Sequence, residues 1–169
     1  MSVIFNEQEQ SFTLSNGRIQ YVMQLFLEGY LGHIYFGKAL KHFNPGKHAD
    51  ARTFSLDVLP QEYSVYGSGD FRIPALEATL ANGTSTLDIR YHSHRIFEGK
   101  SDLTGLPSSY ASADQATTLE ITMREVAGDL EVVLSYTIFK DIDVITRHAV
   151  IRNIGSETVA LRRAASFTL

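Results

Sequence analysis

An all-β fold is the class this sequence predicts, its strands assembled into one large antiparallel sandwich of two sheets. Three observations lead there. Apolar and polar residues alternate with a period of two, most cleanly from Thr118 to Glu125, where Leu119, Ile121 and Met123 share one face and Glu120, Thr122 and Arg124 the other. That spacing gives a strand one dry and one wet face. Asn-Gly pairs at Asn16-Gly17 and Asn82-Gly83 separate extended runs, and such pairs supply the positive backbone angles that tight hairpins require. Roughly ten strand-like segments can be counted, with no helical periodicity of comparable strength. With 169 residues, 44% of them hydrophobic, the chain can bury one sizeable core, and residues 1–169 are expected to form a single domain.

The first run alternates around Phe5, Phe12 and Leu14 and reaches the Ser15-Asn16-Gly17 turn. Arg18 to Leu27 and Tyr30 to Lys38 then read as two antiparallel strands about a Glu28-Gly29 turn. A helix competes over Ile19 to Phe26, but β-branched and aromatic residues bounded by turn residues favour a strand. Lys41 to Ala51 contains Asn44-Pro45-Gly46 and predicts an exposed loop; Thr53 to Val58 predicts a short strand. Leu76 to Leu80 and Thr84 to His92 flank Asn82-Gly83 as a second predicted hairpin. Gly99 to Ala116 has the Gly, Pro and Ser content of a long connection, with Leu103, Leu106 and Tyr110 available to pin it to the core. Leu130 to Phe139 alternates, but Val133 and Phe139 interrupt its polar face, so part of that face is expected to be covered too. Val144 to Arg152 and Glu157 to Leu169, about an Asn153-Ile154-Gly155-Ser156 turn, read as a further hairpin. Its second strand keeps alternating through Val159, Leu161, Ala165, Phe167 and Leu169, without a polar tail. A fragment of a longer protein is the expectation from that pattern.

Composition narrows the function. Net charge is -4 with both signs spread along the chain and no basic run, which argues against a nucleic-acid partner. No apolar run is long enough to span a bilayer, and no charged-then-apolar leader opens the sequence. The absence of cysteine rules out disulfides and thiolate metal sites and fits a reducing, cytoplasmic setting.

The densest chemistry lies in Gln61 to Ala75, QEYSVYGSGDFRIPA, with Glu62, Asp70 and Arg72 among Tyr63, Tyr66 and Phe71. Gly67, Gly69 and Pro74 predict an ordered loop entering a strand. Two readings stand side by side: Asp70 and Arg72 pair across the turn while the aromatics plug the core, or the loop presents a surface to a ligand or partner. Other chemistries are weaker. His92 and His94 lie two apart on one face of a predicted strand, a spacing that suits zinc, but no third or fourth ligand is indicated. Gly67-Ser68-Gly69 precedes no helix that could cradle phosphate, and Ser68 has no indicated base.

Seven blocks of this sequence, in order and in register, resemble the N-terminal domain of the bacterial-type α-galactosidases (melibiases) of glycoside hydrolase family thirty-six. They are YVMQLFLEGYLGHIYFGK, RTFSLDVL, PQEYSVYGSGDFRIPALE, DIRYHSHRI, GKSDLTGLPSSY, TLEITM and the stretch from Leu134 to Leu169. The resemblance implies a β-supersandwich of the galactose mutarotase-like type, followed in the parent enzyme by a (β/α)8 barrel and a small C-terminal β-domain. It implies a retaining, cytoplasmic α-galactosidase acting on terminal α-galactosides such as melibiose and raffinose, with no cofactor or metal. Its two catalytic aspartates belong to the barrel, so no catalytic residue is expected here. The domain's implied roles are packing on the barrel, building a homo-oligomer (a tetramer in relatives) and narrowing the substrate pocket. In such relatives a loop reaches the neighbouring subunit's site, and the matching positions are Asp50 and Arg52, although this loop is shorter and Asp50 is its single carboxylate. Glu62, Tyr66, Asp70, Phe71 and Arg72 mark the signature loop.

Two other functions remain open on the residues. One is an independent galactoside-binding module built on the Lys41 to Arg52 and Gln61 to Ala75 loops. The other is a stand-alone aldose mutarotase-like enzyme, which requires a His and Glu pair facing a groove, with His94 and Glu62 as the candidates.

Overall fold

The computed structural model describes residues 1–26, 29–41, 43, 60–70 and 72–166. Among these, ten strands follow in chain order: β1 Ser2–Asn6, β2 Ser11–Ser15, β3 Ile19–Phe26, β4 Tyr30–Lys38, β5 Leu76–Thr79, β6 Ile89–Glu98, β7 Ala116–Glu125, β8 Leu130–Phe139, β9 Ile145–Asn153 and β10 Ala160–Ala164. β1 to β4 form one four-stranded sheet and β6 to β9 another, each in sequence order, while β5 and β10 pair as a small third sheet. Every pairing is antiparallel. Ile19–Phe26 is a strand, as its β-branched and aromatic content requires.

One buried cluster joins the sheets. Phe12, Leu14, Met23 and Leu25 enter it from the first sheet, Leu119, Ile121, Met123, Val132, Leu134 and Tyr136 from the second, and Leu76 and Ala78 from β5. Cross-strand partners Leu119↔Tyr136, Ile121↔Leu134 and Met123↔Val132 lie on the inner face, the alternation read in the sequence. All ten residues of β8 are buried. Its second face is covered by the connection after β6: the Thr118 hydroxyl bridges the Gly99 carbonyl (2.6 Å) and Thr137 (2.8 Å), and Phe139 packs on Ala111 and Ala116.

Several expectations are corrected. The Asn82-Gly83 turn forms, with Gly83 at φ 84° and the Leu80 N–H bonded to the Thr84 carbonyl at 2.8 Å, but it does not close a hairpin. Thr84 to Asp88 is not strand, because its backbone is bonded elsewhere: the Leu87 carbonyl accepts the Gly67 N–H (2.7 Å), and the Asp88 N–H donates to the Glu125 carboxylate (2.7 Å). Nor do β9 and β10 form a hairpin, since β9 pairs with β8 and β10 with β5. The turn after β9 is held by its neighbours instead, with Ile154 N–H on the Asp129 carbonyl at 2.8 Å. Leu106 and Tyr110, expected to pin the long connection, are 67% and 79% exposed. Polar groups do that work, including the Lys100 N–H to the Ala111 carbonyl (2.9 Å) and the Lys100 ammonium to the Ser109 carbonyl (2.6 Å). The alternation read in the last strand does not yield a dry face: all five residues of β10 are exposed. The expected Thr53 to Val58 strand and most of the Lys41 to Ala51 loop lie outside the described residues.

Candidate functional site

The loop from Pro60 to Ala75 is tied to β4 at one end and to β5 at the other. The Glu62 N–H donates to the Leu31 carbonyl (2.9 Å), the His33 N–H to the Pro60 carbonyl (2.8 Å), and the Ala75 N–H to the Ser64 carbonyl (3.0 Å). Between these ties Tyr66–Ser68 makes a single 3-10 turn that Gly69 ends in the left-handed region at φ 78°, a conformation glycine adopts without a Cβ penalty. Gly67 is required for a different reason: a Cβ there would stand 2.0 Å from the Leu87 carbonyl oxygen. The glycine-serine-glycine run is thus a packing device. The Ser68 hydroxyl donates to the Val65 carbonyl (2.7 Å) and accepts from the Gln61 amide (2.9 Å), so no base activates it.

Asp70 and Arg72 pair as the local spacing suggested. The guanidinium donates to both carboxylate oxygens, Nε to Oδ1 at 2.8 Å and Nη2 to Oδ2 at 2.6 Å, and the Arg72 N–H adds a third bond at 3.1 Å. Burial alone would raise the Asp70 carboxyl, but these bonds from Arg72, with help from Gln61, hold it below its ordinary range.

Glu62 is the centre of a second network that gathers distant parts of the chain. Its carboxylate receives the Tyr21 hydroxyl (2.6 Å), the Tyr136 hydroxyl (2.7 Å) and Arg147 Nη1 (2.9 Å), and His33 Nδ1 lies 3.3 Å away. Arg147 also donates through Nη2 to the Glu62 carbonyl, and its guanidinium stacks over the Tyr136 ring at 5.1 Å. Tyr136 and Arg147 are cross-strand partners on β8 and β9, so sheet register delivers both to the same carboxylate. Burial opposes the charge on Glu62, yet His33, Arg147 and the two phenols outweigh it, and the carboxyl is held below its usual value. Burial, reinforced by that carboxylate, pushes the Tyr21 and Tyr136 phenols above their ordinary range.

Both networks open onto one cleft of about 290 Å³ lined by Tyr21, His33, Phe36, Pro60 and Ile73, with Glu62, Asp70, Arg72 and Arg147 at its base and flank. Of the signature residues, Glu62, Asp70 and Arg72 are brought together here. Tyr66 is 41% exposed and does not line the cleft. Phe71, Asp50 and Arg52 lie outside the described residues. Tyr21, His33, Tyr136 and Arg147 were not singled out from the sequence. Arg147 carried a usable signal, because Ile145, Ala149 and Ile151, at period two from it, pack on the core. A guanidinium on that inward face needs a buried carboxylate.

The histidine pair separates. A bulge in β6 between Tyr91 and Ser93 puts His92 on the exposed side, whereas His94 packs on Phe5 and Phe12 and bonds the Tyr91 hydroxyl (2.7 Å). The two rings therefore do not share a face, as the sequence had suggested. The histidine beside Glu62 is His33, not His94. Among the described residues no three His, Asp or Glu side chains are grouped to hold a metal ion, and no helix is long and apolar enough to cross a membrane.

Neither carboxylate of the cleft suits glycosidic acid catalysis. Hydrolysis needs one carboxyl that retains its proton near neutrality, and both Glu62 and Asp70 are driven the other way by paired guanidinium groups.

The chain is similar to known proteins along its whole length. It is 44% identical to the α-galactosidase AgaA of Geobacillus stearothermophilus, matching 100% of this chain and 25% of that one. It is 36% identical to the bifunctional α-galactosidase/sucrose kinase AgaSK of Mediterraneibacter gnavus, over 100% of this chain and 20% of that one. The crystal structure of the family α-galactosidase AgaB from Geobacillus stearothermophilus superposes with a TM-score of 0.90 at 45% identity, covering 98% of this chain and 24% of that one. The chain thus spans about a quarter of the length of the AgaA relative. Residues 29–169 match the family described as the glycosyl hydrolase family 36 N-terminal domain, and the chain belongs to that family.

Proposed function

We propose that this chain is the non-catalytic N-terminal β-sandwich domain of a retaining α-galactosidase, whose hydrolytic residues lie on a downstream (β/α)8 barrel completed by a small C-terminal β-domain. The observation that carries the non-catalytic assignment is the state of the two cleft carboxylates. Each is buried, bonded to a guanidinium and held below its ordinary protonation range, so neither retains a proton to give to a leaving group. Similarity to α-galactosidases over about a quarter of their length supports a parent enzyme that hydrolyses terminal α-galactosides such as melibiose and raffinose. In that enzyme the domain packs on the barrel, contributes to a homo-oligomer and presents Asp50 and Arg52 to a neighbouring substrate pocket. The cytoplasm is the proposed compartment, in keeping with the cysteine-free sequence; recovery of activity in the extracellular fraction of the source cells argues otherwise.

The decisive test pairs two measurements. Reading the gene beyond Leu169 is expected to reveal a barrel with two aspartate motifs, and the purified 169-residue chain is expected to release no chromophore from a chromogenic α-galactoside. Turnover by the chain alone that Glu62→Gln abolishes would overturn the reading.

A further inference from the structure

We propose that the cleft between β3, β4 and the signature loop is a socket for an apolar side chain on the polypeptide that follows β10 in the parent enzyme. The proposal rests on the reading of this chain as one domain of a longer α-galactosidase. It adds where that longer chain first returns to the domain.

The chemistry of the cleft selects the occupant. Its formal charges are already matched: Glu62 is bonded to Arg147 and Asp70 to Arg72. A charged occupant would gain no free counter-charge and would lose its hydration. What the cleft still offers is apolar wall from Tyr21, Phe36, Pro60 and Ile73. Phe36 is 57% exposed and Ile73 70%, which is costly surface for two large side chains on one rim. A sugar ring is poorly matched here, because it must replace the hydration of several hydroxyls with hydrogen bonds, and Arg72 and Arg147 already spend donors on the Asp70 and Glu62 carboxylates.

The course of the chain selects the source. Ala164 is paired with Leu76, and the Ala165 N–H donates to the Ala75 carbonyl at 2.8 Å. At Ala165 the polypeptide is thus bonded two residues from Ile73, which lines the cleft. About three-quarters of AgaA lies outside the part matched here, the chain covering 25% of it, and on the reading above that remainder follows β10. A segment that emerges beside an apolar cleft is joined to it at high effective concentration and needs little intrinsic affinity to occupy it.

Thiol protection tests this directly, since these 169 residues contain no cysteine and the unsubstituted extended and full-length chains, labelled in parallel, supply the background. Ile73→Cys and, separately, Phe36→Cys are introduced into the 169-residue chain, into a chain extended through the next strand-like segment, and into the full-length parent. Their reactivity toward a maleimide is then followed. Both sites are surface-exposed, and full labelling in urea provides the reference for each. Free reaction in the 169-residue chain is expected, with protection of about tenfold or more in the extended and full-length chains. Equal labelling in all three overturns the socket. So does protection that grows with protein concentration, which indicates a second copy, or protection of the 169-residue chain by galactose or raffinose. Failure of the parent reading is distinct: the gene would then encode no barrel, whatever the thiols do.

Discussion

Glu62 joins the signature loop to β3, β4, β8 and β9 through one side chain, and its neighbours predict what removing it does. Arg147 is 11% exposed and bonded to both the carboxylate and the carbonyl of Glu62. Glu62→Gln leaves that guanidinium buried without its counter-charge, and a loss of about 3–5 kcal/mol in urea unfolding is expected. Glu62→Gln with Arg147→Met in the same chain should recover part of the loss, because the uncompensated charge is gone; a double variant weaker than the sum of the two singles contradicts the pairing. The same network sets a pH dependence. The Glu62 and Asp70 carboxyls are held below their ordinary values in the folded chain. Their stabilisation is thus complete above the unfolded values of about 4 and is lost as pH falls through the lower folded ones. Burial also holds His94 and His148 below their ordinary value. Stability should therefore begin to decline as pH falls through about 6.5, where the unfolded chain takes up protons that these histidines resist, and drop further below about pH 4. Glu62→Gln should flatten that drop, and an unchanged acid slope would remove Glu62 as its source. Sequence revealed the two halves of this chemistry unequally. Asp70 and Arg72 stand two residues apart in a glycine-bounded loop, so their pairing is a local event. The partners of Glu62 come from β3, β4, β8 and β9, and only the inward alternation around Arg147 announced that such a carboxylate had to exist.

Strands were legible as strands because the period-two pattern is local, as in β7 and β8. Which strand pairs with which was legible only where the turn alone decides. Asn16-Gly17 joins two partners, β2 and β3, and its prediction holds. Asn82-Gly83 makes an equally good turn, yet the backbone after it is taken by Gly67 and Glu125, and β5 finds β10 instead. A turn signal specifies a reversal of the chain, while pairing depends on which groups are left unbonded. That competition makes Gly67 the most sensitive glycine of the loop. Gly67→Ala would set a Cβ 2.0 Å from the Leu87 carbonyl and break the contact that keeps Thr84 to Asp88 out of the sheet, with a cost of about 1–3 kcal/mol from overpacking. Gly69→Ala pays for its left-handed backbone angle, about 1 kcal/mol. Gly17→Ala, also at positive φ but with open space around it, isolates the conformational part of that cost. Thermal unfolding of the three variants should rank Gly67→Ala lowest, and an alanine at position 67 as stable as one at position 17 would show that the Leu87 contact is not tight.

Among the strands that keep an open edge once the described strands are paired, β9 and β10 stand out. β9 closes the second large sheet with no strand on its outer side, and β10 is exposed along its whole length, with Leu161 at 53%. β9, ITRHAVIRN, contains no proline, and its charged residues Arg147 and Arg152 are paired with Glu62 and Glu131 instead of guarding the edge. Hydrophobic content alone could not reveal this, because alternation looks the same whether a neighbouring segment covers the strand or solvent does. The consequence is measurable on the 169-residue chain by sedimentation at increasing concentration. It should self-associate in the micromolar range or above, as a sheet edge with unpaired N–H and carbonyl groups recruits another. Val150 is partly buried on β9, on the opposite side from Ile145, Ala149 and Ile151. It is the cross-strand partner of the buried Val133, so Val150→Lys should lower association at a cost of about 1 kcal/mol in unfolding stability. Association that Val150→Lys leaves intact but Leu161→Lys removes transfers the sticky edge from β9 to β10, and a chain that stays monomeric at all accessible concentrations shows that both edges are protected without a partner.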